Sequence, residues 1–156
     1  MTADDVKVML REFIYLKKEY EIMNERYARL YQQVHSPKKG ALGGMPPGSS
    51  FSKDRIGEQV ARLDGMKTNL DTVVKTISEK KRYIEKNINR MKKLQEKELM
   101  VMRYIDDMSW MSISDILFGA EEDYSAATEV YLTRCYRIHR RALNSLANII
   151  SESKKQ

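Results

Sequence analysis

A chain of 156 residues carrying a net charge of +6 and a pI near 9.3 is long enough for one domain or two small ones, and its charge suits a nucleic-acid partner. Seven glycines and three prolines leave most of it free to be continuous helix. The composition excludes a bilayer span and a signal peptide, an internal disulfide and a Cys-only metal site (one cysteine), and a His-built metal site (two distant histidines), so no membrane, metal or cofactor is expected and the compartment is a reducing cytoplasm.

In chain order, the first element is a heptad. Val6, Met9, Phe13, Leu16, Tyr20, Met23, Tyr27, Leu30 and Val34 alternate by three and four, which is the seam of a coiled coil. Thr2 and Asp5 have the spacing of a capping box at its start. Residues 35–53, "HSPKKGALGGMPPGSSFSK", hold all three prolines and four of the seven glycines, so a long loop is expected there. A second heptad follows through Ile56, Val60, Leu63, Leu70, Val74, Ile77, Ile84, Ile88 and Met91, with Lys67, Lys81 and Gln95 at polar seam positions. Ser52 is its candidate N-cap, and the helix is expected to run from about 54 to beyond 100. Folded antiparallel, the two helices make a hairpin. Within the second, "KKRYIEKNINRMKK" (80–93) carries seven basic residues against one Glu. Such a run reads as a solvated face or as a phosphate-contacting stripe.

The last third has no heptad. Leu99, Met102 and Ile105 predict a helix ending near Asp106-Asp107. Ser109 caps a short helix through "WMSISDILF", with Gly119 as its C′ residue. Asp123 or Ser125 caps a final helix that runs to about Ser151. On that helix Tyr131, Cys135, Ile138, Ala142, Leu146 and Ile149 share one side, and Thr133, Arg137, Arg140 and Asn144 lie opposite, flanked by Arg134 and Arg141. Guanidinium and amide groups are suited to phosphates and to guanine or adenine edges, so these six are the candidate DNA-binding residues. The alternative is an amphipathic helix whose basic face is only solvated. Residues 108–131 just before it hold five acids and no Lys or Arg. No catalytic set is legible, and no enzyme is expected. His139 reads as a packing or DNA-flanking residue, and Tyr104 and Trp110 as core aromatics.

A short helix, a turn and an arginine-bearing helix come in helix-turn-helix order. The stretch "ELMVMRYIDDMSWMSISDILF" followed by "LTRCYRIHRRALNSL" resembles the C-terminal helix-turn-helix of bacterial sigma factors, region four, through Arg134, Cys135, Ile138, Ala142, Leu143 and Leu146. The whole chain resembles the phage late-transcription regulators of the ArpU and RinA types, whose loop pattern falls here on Ser36, Pro37, Lys38, Met45, Pro46 and Gly48. The resemblance departs between Phe118 and Leu132, where thirteen residues replace a tight turn, and this chain has no other sigma region. It implies an all-α protein with an N-terminal antiparallel coiled-coil hairpin over 1–95 and a sigma-like helix-turn-helix domain over 96–156. It further implies a sequence-specific regulator of late genes, an activator in the cytoplasm of a bacterial host. The partners implied are double-stranded DNA, host RNA polymerase, and a second copy in a homo-oligomer with a dimer favoured. Two other readings stand beside it: a DNA-binding component of phage packaging, like a small terminase subunit, or a protein that grips RNA polymerase or a sigma factor.

Overall fold

The computed structural model describes residues 1–36 and 51–154, with side chains from residue 54 onward in the second stretch. Among them every regular element is helical. They are α1 (Ala3–His35), α2 (Phe51–Asn89), α3 (Leu94–Met100), α4 (Trp110–Phe118) and α5 (Thr128–Ser153). A π-helical turn, Val101–Ile105, continues α3. No described helix is long and apolar enough to cross a membrane.

The chain packs into two compact units. One is Met1–Tyr15 with Ser78–Gln156, and the other is Leu16–Ile77. The expected division at residue 95/96 follows the change from heptads to short apolar clusters. The packing division cuts both long helices instead and gives the first unit one piece from each end of the chain.

α1 starts as its capping box dictates. The Thr2 backbone N–H donates to Asp5 Oδ2 at 2.7 Å, and the Asp5 N–H donates to Thr2 Oγ1 at 3.2 Å. The Thr2 N–H and hydroxyl, both donating to Asp5 Oδ2, hold the Asp5 carboxyl below its ordinary pKa. All nine seam residues of α1 are shielded: Val6 and Phe13 fully, the other seven partly.

α2 corrects the expected seam. Ile56, Val60 and Val74 are 51%, 42% and 41% exposed, and Lys67 and Lys81 are exposed as well. The shielded stripe runs instead through Gln59, Leu63, Met66, Leu70, Val73, Ile77, Lys80, Ile84, Asn87 and Met91. Both registers share Leu63, Leu70, Ile77, Ile84 and Met91. They differ by one residue at every other position. The observed one wins because it puts Met66 where the alternative puts Lys67, and it leaves Lys81 outside, 3.8 Å from Glu85. Ile88, also in the expected seam, is buried too.

The second helix is also shorter than expected at its far end. It stops at Asn89, so the basic run 80–93 crosses a helix end and a break rather than lying on one face. Asparagines are poor helix formers that bond their own backbone, and the Asn87 amide donates to the Tyr83 carbonyl at 2.8 Å. The next turns tighten, with the Arg90 and Met91 N–H groups bonded to Asn87 and Ile88 carbonyls. The Arg90 side chain reaches the Ile149 carbonyl and the Ser153 hydroxyl on α5. The expected cap Ser52 and the loop positions Pro37, Lys38, Met45, Pro46 and Gly48 lie outside the described residues or side chains.

After the π turn, Asp107 takes a positive φ of 57°, a conformation that a short Asp side chain tolerates. α4 is capped as expected, with the Ser112 N–H donating to Ser109 Oγ at 3.1 Å. Gly119 ends it in a right-handed conformation (φ −60°), not as a left-handed C′ residue. A Cβ there would sit 2.3 Å from the Asp115 carbonyl oxygen, so the close approach is what requires glycine. Neither Asp123 nor Ser125 caps α5. Its N-cap is Ala127, without a side-chain bond, and the Asp123 carboxylate accepts the Tyr131 hydroxyl instead.

Candidate nucleic-acid interface

α5 sits on α3 and α4, and α3 and α4 both pack on the π turn between them. Its buried side is Tyr131, Cys135, Ile138, Ala142, Leu143, Leu146, Ala147 and Ile150, each no more than 5% exposed. The expected stripe therefore holds. Ile149 is only partly shielded, and Leu143, Ala147 and Ile150 widen the face. Leu99, Met100, Ile113 and Phe118 from the neighbouring elements are buried with it.

Two polar contacts orient α5. Ser145 donates to Glu96 Oε2 at 2.7 Å, and Lys93 Nζ lies 3.4 Å from Glu96 Oε1. Glu96 is 3% exposed, so its charge is buried and needs both partners. On the other side of the helix, Tyr104 Oη and His139 Nε2 are 2.8 Å apart. The Trp110 ring meets the His139 and Tyr136 rings edge-on, at 5.0 Å each, and carries the Arg103 guanidinium over it at 5.0 Å. Burial lowers the His139 pKa to about 4, helped by Lys7, Arg103 and Arg11, so the imidazole is neutral at pH 7. The expectation of a packing histidine and core aromatics describes Tyr104 and His139 well, while Trp110 is partly exposed.

All six candidate residues, Thr133, Arg134, Arg137, Arg140, Arg141 and Asn144, are exposed. The structure gathers the four arginines around one open cleft of about 600 Å³, with Gln95, Phe118 and Ile138. No carboxylate lines it. Arg134 stacks over Tyr131 at 4.8 Å, which restrains its guanidinium. Asn144 and Thr133 are not part of that cleft. The Asn144 amide donates to the Arg140 carbonyl (3.1 Å) and the Thr133 hydroxyl to the Glu129 carbonyl (2.9 Å). Asn144 lines a second cleft of about 470 Å³ with Lys7, Tyr136, His139 and Arg140.

Gln95 and Lys7 escaped the sequence reading. Gln95 reads as a seam residue of a long helix until the break at Arg90 turns it onto the first turn of α3. Lys7 lies far from α5 in sequence, and periodicity carries no signal of their meeting. The acidic turn is likewise organised by residues that seemed neutral. Tyr124 donates to the Asp115 carboxylate as Tyr131 does to Asp123, and each bond raises the tyrosine pKa. The Phe118, Tyr124 and Tyr131 rings cluster at 5.2–5.4 Å. Glu121, Glu122 and Glu129 remain exposed. Among the described residues no group of His, Cys, Asp and Glu is placed to hold a metal ion.

No family model matches this sequence, and no curated protein or solved structure is significantly similar to it.

Proposed function

We propose that this protein is a sequence-specific double-stranded-DNA-binding regulator of transcription, an activator of phage or prophage late genes, with α5 as its recognition helix. The observation that carries the reading is the cleft bordered by Arg134, Arg137, Arg140 and Arg141 and free of carboxylates. Uncompensated arginines on one exposed helix face favour phosphate contacts and bidentate contacts to guanine. α4 and α5 supply the two helices of a helix-turn-helix, with Gly119–Ala127 between them. Operators with two half-sites call for a homo-oligomer, which this reading assigns to the long helices of 1–95. The exposed Glu121, Glu122 and Glu129 offer host RNA polymerase an acidic patch beside the DNA face. The phage late-regulator resemblance of the "RY…RIHRRAL" signature supplies the biological setting.

The test is selection of bound DNA from a random pool, followed by titration of the selected site. Arg137→Ala and Arg140→Ala are each expected to weaken it by about 1–3 kcal/mol. Arg134→Ala is expected to weaken all sequences alike and to flatten the salt dependence. No selected sequence, or wild-type affinity in all three variants, removes the reading.

A further inference from the structure

α1 has a second apolar stripe opposite its seam. Val8, Tyr15 and Ile22 are 53%, 70% and 60% exposed and recur at intervals of seven, so they lie one above another on the solvent side. Isolated exposed apolar residues are ordinary, but three on one line of a helix form a strip. The charges beside the strip are exposed too: Asp4, Asp5, Arg11, Glu12, Lys18, Glu19, Glu25 and Arg26, of which Glu25 is paired with Arg29 and the Asp5 carboxylate is bonded by Thr2.

We infer that α1 pairs with α1 of a second copy of this chain, antiparallel, across a two-fold axis at Tyr15. In that register Val8 meets the other copy's position 22, and Tyr15 meets its own equivalent. Three of the four flanking pairs bring opposite charges together, and the outermost, position 5 facing 25, sets Asp against Glu. Position 4 faces 26 (Asp with Arg), 11 faces 19 (Arg with Glu), and 12 faces 18 (Glu with Lys). A two-fold axis repeats each pair, so a single register satisfies six of the eight flanking charges in both copies, and Glu25 keeps its own partner in Arg29. Parallel pairing would set Val8 against Val8 and Ile22 against Ile22. This deepens the homo-oligomer part of the DNA-binding reading, but its argument uses no residue of the arginine cleft.

Solution mass without DNA tests it, so failure here is separate from failure of DNA binding. The wild type is expected at twice 18.3 kDa. Tyr15→Glu, which sets two carboxylates at the axis, is expected to halve the mass. Glu12→Lys and Lys18→Glu are each expected to weaken the dimer, and the two together to restore it. These positions are exposed, so the fold tolerates the changes. Orientation is read by oxidation in a Cys135→Ala background. Tyr15→Cys is expected to form an interchain disulfide. Val8→Cys and Ile22→Cys alone are not, since each lies about 10 Å along the helix from the axis. A monomeric wild type, a double variant no better than the singles, or cross-linking of Val8→Cys to itself overturns the proposal.

Discussion

Residues 16–77 and the unit built from 1–15 and 78–156 are both made of amphipathic helices, yet they bury very differently. In the first, Leu63 and Leu70 are the fully buried side chains among the described residues, at 5% and 6% exposed. In the second, Val6, Leu10, Leu99, Met100, Ile113, Cys135, Ala142 and Leu146 are all fully enclosed. Each helix of residues 16–77 shields one strip and leaves the rest wet. α3 and α4 both pack on α5, whose apolar face is buried along its length. Regular sequence pattern and depth of core are therefore separate properties, and here the irregular region holds the deeper core.

The comparison is broken or sharpened by unfolding experiments with two probes. The single tryptophan, Trp110, lies in the deeper unit, whereas circular dichroism follows every helix. Leu146→Ala is expected to cost about 4–5 kcal/mol by tryptophan fluorescence, and Leu70→Ala about 2 by circular dichroism with little change at Trp110. Equal costs on both probes would make the two units one cooperative body.

The next effect in size is pH. His139 has its folded pKa lowered from 6.5 to about 4, so the unfolded chain binds its proton more readily. Its contribution is fully present above about pH 6.5 and is lost as pH falls through about 4, up to about 3 kcal/mol in all. A His139→Gln variant is expected to flatten the fluorescence-monitored stability profile over that window. An unchanged profile would relocate the acid sensitivity.

The smallest effect tests the register of α2. Val73→Lys is expected to lower stability by about 1 kcal/mol, because Val73 is shielded, whereas Val74→Lys and Lys67→Leu stay within about 0.5. The expected seam demands the reverse order, and thermal unfolding distinguishes them.

The α1 seam and the buried face of α5 are legible because one apolar period dominates each; the second stripe of α1, Val8, Tyr15 and Ile22, offers one residue per heptad against the seam's two. The α2 seam lies one position from the expected one because the local sequence favours the wrong stripe: Val60 and Ile88 stand against Gln59 and Asn87, both 73 and 74 are Val, and Met66 against Lys67 alone points to the observed register. The break at Arg90 was hidden because Asn87 and Asn89 are weak breakers without a Gly or Pro. Arginines on the exposed side of α5 were legible from spacing. Their convergence on one cleft was not, since Gln95 arrives there through that break, and neither was the Glu96–Ser145 contact, which joins residues 49 apart.

Met1 gives its own consequence. Its ammonium group donates to Ser151 Oγ at 3.3 Å, and Val6, Leu10 and Phe13 are buried within a unit otherwise built from residues 78 onward. During synthesis, α1 precedes by more than sixty residues the elements that share its unit and cover these three side chains. At about 5–20 residues per second, its apolar face waits several seconds for them. That face therefore stays without its cover throughout the synthesis of 16–77, and Met1 can meet Ser151 only once α5 is made.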